Sequence, residues 1–221
     1  MNPLIWNVGH GVRAAFSTRD DGDQREAPLR AAFLARLGLA DRRQGIPRQI
    51  HGVGIADDPA SAADLAVSDG IVTTDPRVVI GAYGADCPAL VLAAPDAMGV
   101  AHGGWRGTAG GIAGALVEAM RRRSAHPPAT WAGLVGPGIA PDRYEVDGPV
   151  LGARVWPPGT VLRPRGDRAD LDVGGALAAD AAAAGVGWIV NCRVCTAGDP
   201  RLHSYRHRGS GLVQLLAVWR V

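Results

Sequence analysis

The sequence contains no lysine, so all 23 of its basic residues are arginines. This absence excludes a Schiff-base lysine, a lysine general base and a P-loop, whose lysine contacts nucleotide phosphates. Glutamate is also scarce, since Glu26, Glu118 and Glu145 are the only glutamates among 21 acidic residues. A bias in the coding sequence accounts for this composition. Any fixed cationic contact to a phosphate must therefore come from arginine, a metal, a backbone N–H group or a charged histidine.

Excess charge, long apolar runs and paired cysteines are lacking as well. The net charge of +2 is too small to indicate a nucleic-acid partner. Asp86 and Asp96 interrupt the most apolar stretch, Val78 to Val100, so we expect no membrane span. The three cysteines are an odd number and no secretory signal is visible, which favours a reducing, cytoplasmic setting. We expect small-molecule partners and predict no particular oligomeric state.

The remaining composition is typical of a compact protein, with 47% hydrophobic residues in a chain of 221. We predict a single α/β or α+β domain over residues 1–221. Apolar spacing predicts helices over Pro28–Leu39, Thr108–Arg123, Val150–Val155 and Asp172–Ala184, with Thr108 as an N-cap and Gly185 as a stop. Apolar and β-branched runs predict strands over Trp6–Thr18, Arg48–Val53, Asp69–Thr73, Val78–Tyr83, Leu90–Ala93, Gly99–His102, Trp131–Val135, Val186–Val194 and Leu212–Trp219.

Three residues combine chemical reactivity with a position at the end of an apolar segment, namely His51, Cys87 and His102. Two imidazoles and one thiolate are suitable ligands for Zn²⁺, and three protein ligands leave a fourth position open for water. Such an open site activates water near neutral pH and is catalytic in character. The same residues also permit a metal-free interpretation, in which Cys87 is a nucleophile and His102 its base.

Several motifs occur in a fixed order along the chain. They are Gln49-Ile50-His51-Gly52, Ala85-Asp86-Cys87-Pro88, Ala101-His102-Gly103-Gly104-Trp105-Arg106-Gly107, Gly136-Pro137-Gly138-Ile139 with Tyr144-Glu145-Val146, and Ser204-Tyr205-Arg206. From about Phe16 to Val221 the chain resembles the YfiH-type laccase-domain family, also called the multicopper polyphenol oxidase or peptidoglycan editing factor family. The resemblance implies a layered α/β/β/α domain in which His51, Cys87 and His102 are the metal ligands.

The resemblance also implies a chemistry. The expected activity is zinc-dependent phosphorolysis of adenosine, inosine, guanosine and methylthioadenosine, together with deamination of adenosine; copper is the second possible metal. One alternative is copper-dependent phenol oxidation, although six histidines are too few for several copper centres. A hydrolase that edits peptidoglycan precursors and a non-catalytic metal-binding protein are two further hypotheses.

Other residues in these motifs are candidate substrate contacts. Arg106 and Arg206 are candidates for catalysis and for phosphate binding, because a guanidinium pairs with two phosphate oxygens. Gly103 and Gly104 would let the backbone approach a ligand and offer N–H groups to an anion. Ser204 is a further candidate substrate contact.

A few residues are weaker candidates. Asp86 could orient a ligand histidine, although strand alternation points its side chain away from Cys87. Glu145 could carry a proton, although the pattern favours a surface or ion-pair role. We expect Cys192 and Cys195 to be structural thiols. His203 and His207 flank the Ser-Tyr-Arg motif and are the remaining histidines of interest.

The chain departs from the family pattern at two places. The usual Gly-Gly turn after Arg19 is replaced by Asp20-Asp21-Gly22-Asp23, and the Leu-Asn-Leu segment that normally follows is missing. The closing motif normally ends in Gly-Arg, whereas this chain has Gly211-Leu212. We therefore expect the N-terminal wall of the site and the position of Leu212 to distinguish this protein from its relatives.

Overall fold

A computed structural model of the chain describes residues 2–57, 67–209 and 211–221. The fold is of the mixed α/β type. Its α-helices are α1 (Ala27–Arg36), α2 (Trp105–Ala109), α3 (Ile112–Arg121), α4 (Gly148–Leu151), α5 (Val173–Ala183) and α6 (Tyr205–Arg208). No helix among the described residues has the length and apolar character that crossing a membrane requires.

The strands form three sheets. In chain order they are β1 (Leu4–Gly9), β2 (Val12–Phe16), β3 (Arg43–Gly45), β4 (Ile55–Asp57), β5 (Gly70–Thr73), β6 (Val78–Gly84), β7 (Ala89–Ala93), β8 (Met98–His102), β9 (Ala132–Val135), β10 (Glu145–Val146), β11 (Val161–Arg165), β12 (Arg168–Leu171), β13 (Trp188–Asn191) and β14 (Gln214–Arg220). The five-stranded sheet has the order β1-β2-β14-β6-β3, the six-stranded sheet β13-β9-β7-β8-β5-β4, and the small sheet β10-β12-β11.

The two large sheets pack face to face, and helices cover their outer faces. Successive strand residues point to opposite faces, so Val91 on β7 packs between the sheets while Leu92 packs against α3 and α5. On β14, Leu216 faces the inter-sheet core and Leu215 packs with Phe33 of α1. Each such fully buried side chain stabilises the fold by about 1.5–3 kcal/mol. The predicted α/β/β/α layering is thereby confirmed.

The long helix predicted over Thr108–Arg123 is wrong, because the segment forms two helices. The chain turns between α2 and α3 at Gly111, whose φ of +90° is a backbone conformation that other residues rarely adopt. Thr108 is therefore not an N-cap; it is buried within α2, and its hydroxyl donates a hydrogen bond to the Gly103 carbonyl at 3.3 Å. The helix ends at Arg121, so the arginines 121–123 lie at its C-terminus.

Other predicted elements differ in their bounds. The α5 helix closely matches its prediction, since the Asp172 side chain caps it by accepting from the Gly175 N–H and Gly185 follows it with a φ of +96°. The short helix α4 lies slightly before the predicted Val150–Val155. The run Trp6–Thr18 forms the hairpin β1–β2 rather than one strand. The strand predicted over Arg48–Val53 is wrong, because this segment is a loop.

The sheet pairing brings distant residues to one edge. Ala89 of β7 lies opposite His102 of β8, so the loop that carries Cys87 meets the end of β8. On the other side β5 pairs antiparallel with β8, with Gly70 opposite Ala101. Asp69, which precedes β5, is consequently placed beside His102.

Candidate metal centre

The structure brings the three residues predicted as ligands into one cluster. The ligand atoms of His51, Cys87 and His102 all lie within 4.8 Å of one another. The two imidazole rings meet edge to face, with centroids 4.8 Å apart. His102 is buried, Cys87 is half-buried and His51 is exposed, so the cluster opens to solvent on the His51 side. The grouping predicted from three separate motifs is thus present in the fold.

Asp69 links two of these three ligands through a single buried carboxylate. Its Oδ1 accepts from Nδ1 of His102 at 3.0 Å and from the backbone N–H of His51 at 2.8 Å. Its Oδ2 accepts from the backbone N–H groups of Ile50, at 3.2 Å, and Gly52, at 2.7 Å. Because a carboxylate only accepts, Nδ1 of His102 carries the proton and Nε2 is the nitrogen left for a ligand.

The loop that carries His51 is fixed in an uncommon backbone conformation. His51 has a φ of +63°, which lies in the left-handed region and costs free energy in a non-glycine residue. Three consecutive N–H groups of this loop converge on Asp69, an arrangement that binds anions. On its other side Gln49 exchanges two hydrogen bonds with the backbone of Tyr83, at 2.7 and 3.0 Å. The loop is therefore held at both ends by side chains.

Hydrogen bonds and charges within the cluster shift the pKa values of Cys87, His102 and Asp69. Burial disfavours the Cys87 thiolate, but hydrogen bonds and charges from His102 and His51 outweigh this and lower the pKa of the thiol to about 7. Burial likewise disfavours a charged His102, yet Asp69 and Cys87 raise its pKa to about 9. Burial opposes ionisation of Asp69 too, but the His102 ring and the loop N–H groups lower its pKa.

The residues present fit a bound metal ion. The donor set of two imidazoles and a thiolate is one that Zn²⁺ uses in catalytic sites. Gly104 leaves room beside it, because a Cβ at this position would lie 3.0 Å from Cδ2 of His51, 3.1 Å from Sγ of Cys87 and 3.3 Å from Cε1 of His102. Any side chain there would press on all three ligands at once.

The cluster lies in a cleft of about 780 Å³, large enough for a drug-sized ligand. Four arginines, Arg25, Arg48, Arg106 and Arg206, line this cleft together with aromatic residues. Within the described part of the chain, Arg48 and Arg106 form no ion pair, and Arg106 stacks on Trp105 with its guanidinium carbon 4.3 Å from the ring centroid. The cleft therefore presents uncompensated positive charge to a ligand.

Arg206 also lines the cleft and lies beside Tyr144. Its guanidinium lies 5.0 Å from the ring centroid of Tyr144 and donates to the carbonyl of Glu145 at 3.1 Å. Burial raises the pKa of Tyr144 to about 12, with a further contribution from the charge of Cys87 and opposition from Arg206. Tyr144 therefore keeps its proton at neutral pH and can donate a hydrogen bond into the cleft.

The two departures from the family pattern meet at the rim of this cleft. Leu212 lines the cleft and is 41% exposed. The carbonyl of Gly211 beside it accepts from Arg25 at 2.5 Å, and Arg25 is also paired with Asp23. The N-terminal segment thus contributes Arg25 to the cleft next to Leu212, where the family pattern predicts an arginine.

The predicted substrate contacts other than the arginines are placed differently. Gly103 is buried, its N–H donates to Pro88 at 2.7 Å, and a Cβ there would lie 2.1 Å from Leu177. Ser204 is buried and caps α6 by accepting from the His207 N–H at 3.2 Å. Neither residue lines the cleft, so their contacts with substrate, like that of Gly104, stay predictions.

The structure contradicts a histidine-orienting role for Asp86, and it places Glu145 in the ion-pair role that the sequence favours. Asp86 does not orient a ligand histidine; it accepts from Oγ1 of Thr196 at 2.6 Å and from the backbone N–H of Arg206 at 2.7 Å. Glu145 lies at the surface in ion pairs with Arg165 and Arg168, which lower its pKa. Strand pairing, rather than proximity along the chain, determines which carboxylate reaches the histidine.

The remaining candidates lie away from the chemistry. Cys192 and Cys195 are free and half-buried, and Sγ of Cys195 accepts from the Ala140 N–H at 3.3 Å, as expected of structural thiols. Among the described residues they join no group suited to a metal ion. His203 is buried and His207 is exposed, and neither lines the cleft.

Sequence reasoning missed three residues that the structure places at the centre. Asp69 was recognised only as the start of a strand, Arg48 was one arginine among many, and Tyr144 was passed over for its neighbour Glu145. For Tyr144 the signal is its place in the Tyr144-Glu145-Val146 segment, one of the motifs on which the family resemblance depends. For Asp69 and Arg48 the sequence alone carries no such signal.

The chain is similar to known proteins over most of its length. The family model described as "Multi-copper polyphenol oxidoreductase laccase" matches residues 10–219. A Deinococcus radiodurans protein named purine nucleoside phosphorylase is 37% identical over 205 residues, which cover 90% of this chain and 79% of that relative. A protein of an unknown prokaryotic organism, named adenosine deaminase RL5, is 34% identical over 158 residues, covering 66% of this chain and 60% of that relative.

Solved structures share the fold over nearly the full chain. YlmD from Geobacillus stearothermophilus matches with a TM-score of 0.83 and 28% identity, covering 95% of this chain and 92% of that structure. The Neisseria meningitidis protein NMB0706 matches with a TM-score of 0.85 and 21% identity, covering 100% of this chain and 99% of that structure. At that level of identity the second likeness concerns the fold alone.

Proposed function

The chain belongs to the multi-copper polyphenol oxidoreductase laccase family, and we propose that it is a zinc-dependent purine nucleoside enzyme. Its reactions are phosphorolysis of adenosine, inosine, guanosine and methylthioadenosine, and deamination of adenosine. The observation that carries this proposal is the cluster of His51, Cys87 and His102 at the base of an arginine-lined cleft. The names of the relatives, one a purine nucleoside phosphorylase and one an adenosine deaminase, support the same substrate class.

His51, Cys87 and His102 would hold the metal ion. A Zn²⁺ ion bound there supplies a Lewis acid that activates water near neutral pH. The lowered pKa of Cys87 favours its thiolate, which is the form that ligates a metal. Copper is also compatible with imidazole and thiolate ligands, so metal content must be measured rather than assumed.

The arginines would hold the phosphate. Arg48 and Arg106 have no acidic partner among the described residues, so their charge is available to a bound anion. A guanidinium donates two parallel hydrogen bonds to phosphate oxygens, which orients the nucleophile toward the ribose. Arg206, which also lines the cleft, would be a further contact to the anion. Tyr144, protonated at neutral pH, would donate a hydrogen bond to the nucleoside or to the departing base.

The free thiols fit a reducing compartment. Cys87, Cys192 and Cys195 form no disulfide in the structure. A metal-binding thiolate in a half-exposed cleft keeps its reduced form best in the cytoplasm, which we propose as the location of the enzyme.

Copper-dependent phenol oxidation is the main competing function, since the family description carries that name. A multi-copper oxidase needs several copper centres, and the described residues contain one ligand cluster in a chain with six histidines. The arginines also suit an anion better than a neutral phenol. Editing of peptidoglycan precursors and non-catalytic metal binding are two more functions that the same cluster would permit.

The test is a product assay on metal-analysed, tag-free protein. Zinc-loaded protein should release free base from inosine and from adenosine only when phosphate is present, and should convert adenosine to inosine without phosphate. If neither product forms, the proposal is wrong. Oxidation of a phenol by copper-loaded protein would favour the oxidase, and cleavage of a muramyl precursor would favour the editing hydrolase.

Two cysteine variants provide the matched comparison. C87A removes a ligand and should abolish both zinc binding and activity, whereas C192A removes a free thiol outside the cleft and should preserve both. A protein that binds zinc through Cys87 but turns over no nucleoside, phenol or muramyl substrate would be a non-catalytic metal-binding protein.

A further inference from the structure

Asp69 is the buried carboxylate on which the geometry of the metal cluster converges. Its side chain is completely buried, and it accepts four hydrogen bonds: three from consecutive backbone N–H groups and one from the His102 ring. A carboxylate has about four lone-pair sites, so its accepting capacity is filled. A buried charge is tolerated only with such complete pairing.

Backbone hydrogen bonds also join Asp69 to the segments that carry His102 and His51. The N–H of His102 donates to the Asp69 carbonyl at 2.7 Å, immediately beyond the paired part of β5 and β8. The N–H of Asp69 in turn donates to the carbonyl of Gly54 at 2.9 Å, in the chain that follows the His51 loop. Asp69 is therefore joined to both histidine segments through backbone and side chain.

We propose that Asp69 is the positioning residue of the metal site, which it forms in advance by holding the His51 loop and the orientation and tautomer of the His102 ring. This inference rests on the metal-binding part of the proposed function but not on the nucleoside chemistry. Without the carboxylate, no other group among the described residues accepts hydrogen bonds from the three N–H groups at positions 50–52. The His102 ring would also lose the acceptor that keeps its proton on Nδ1.

The informative variant is D69N, which preserves size and hydrogen-bonding shape. The amide has one accepting oxygen, and whichever way it is oriented its NH₂ group faces at least one N–H donor. Loss of partners of this kind costs about 10–100-fold in metal affinity. We therefore expect the zinc dissociation constant of D69N to rise by that factor, measured by competition with a chromophoric chelator.

A second readout separates positioning from general destabilisation. Nitrogen-detected NMR of the metal-free protein above pH 9, where the His102 ring is neutral, reports which ring nitrogen carries the proton. In the wild type Nδ1 of His102 should be protonated, and in D69N the population should shift toward protonated Nε2. Thermal unfolding with and without zinc shows whether the variant is folded when these measurements are made.

The control is D96N, which alters a carboxylate of similar bonding far from the cluster. Asp96 accepts from the Ser124 hydroxyl at 2.5 Å and from the Ala125 N–H at 2.8 Å. D96N should preserve the zinc affinity and the His102 tautomer. If folded D69N binds zinc as tightly as the wild type with Nδ1 of His102 still protonated, the inference is overturned. If the wild type itself fails to bind a metal, the proposed function fails instead.

Discussion

Gly104 lies directly against Cys87, so that a Cβ on Gly104 would be only 3.1 Å from the ligand sulfur. The same Cβ would lie within 3.3 Å of both His51 and His102. We expect G104A to displace the ligands and to weaken zinc binding at least tenfold. The measurement is a competition titration against a chromophoric chelator.

The control for this substitution lies on α3. A Cβ added to Gly114 would have no other atom within 4 Å, so G114A should leave zinc affinity unchanged. It should also raise the free energy of unfolding by about 0.5–1 kcal/mol, because alanine has a higher helix propensity than glycine. Zinc binding by G104A at wild-type affinity would show that the ligands are free to move aside.

The protonation of the cluster predicts a pH dependence. Because the pKa of Cys87 is lowered to about 7, the thiolate absorbance of metal-free protein at 240 nm should rise with a midpoint near pH 7. The C87S variant should lose this transition. Burial raises the pKa of Cys192, so its thiol should ionise only at higher pH.

The zinc affinity should also depend on pH, because Cys87 and His102 must each lose a proton to bind the metal. A metal binds thiolate and neutral imidazole, so protons on Cys87 below pH 7 and on His102 below about pH 9 compete with it. Raising the pH removes this competition, and the affinity should increase from pH 6 to pH 9 and then level off. An affinity that is constant over this interval would contradict the protonation states inferred for the cluster.

Substitution of the two cleft arginines that form no ion pair among the described residues should impair phosphorolysis more than deamination. R48Q and R106Q each remove a charge-assisted contact to phosphate, which is worth about 1.5–3 kcal/mol. We expect the KM for phosphate in phosphorolysis to rise about tenfold or more in each variant. Deamination of adenosine, which uses no phosphate, should change much less.

An arginine outside the cleft provides the comparison for this experiment. Arg122 is exposed at the C-terminal end of α3, and R122Q should leave both reactions unchanged. An equal loss of phosphorolysis and deamination in R106Q would mean that Arg106 contacts the nucleoside rather than the phosphate.

Features that depend on neighbouring residues in the chain could be predicted from the sequence, whereas features that depend on contacts between distant segments could not. His102 and Cys87 could be identified because each lies in a distinctive local motif at the end of a strand. Helix α5 was predictable because its cap and its stop are encoded within a few residues. Asp69 could not be identified, because its contact with His102 depends on how β5 is aligned with β8. The sequence pattern argues against Asp86, because strand alternation points its side chain away from Cys87, but it does not indicate which carboxylate takes its place.

Short and polar strands were missed for a related reason. The strands β3 and β10 contain only three and two residues, too few for a periodic pattern. The opposite error occurred at Arg48–Val53, where an apolar pattern predicted a strand but the chain forms a loop. Hydrogen bonds from Gln49 and to Asp69 stabilise that loop, and such long-range partners are not visible in a local window.

Asp86 and Asp69 should have separable roles, although both are buried carboxylates beside the cluster. Asp86 holds Thr196 and the backbone of Arg206, and it makes no hydrogen bond to a ligand histidine. In D86A both bonds are lost and the Arg206 N–H is left without its acceptor, which should lower the free energy of unfolding by about 1–3 kcal/mol. Displacement of Arg206 should raise the KM for phosphate, whereas zinc affinity should stay close to that of the wild type.

The comparison variant T196V separates the two bonds of Asp86. It removes only the Thr196 hydroxyl, so it should destabilise the protein while the 2.7 Å bond from the Arg206 N–H persists and the KM for phosphate stays normal. Thermal unfolding, phosphate kinetics and zinc titration on both variants distinguish these effects. If D86A instead loses zinc as D69N is expected to, Asp86 must act on Cys87 itself, and the separation of roles between the two carboxylates would be wrong.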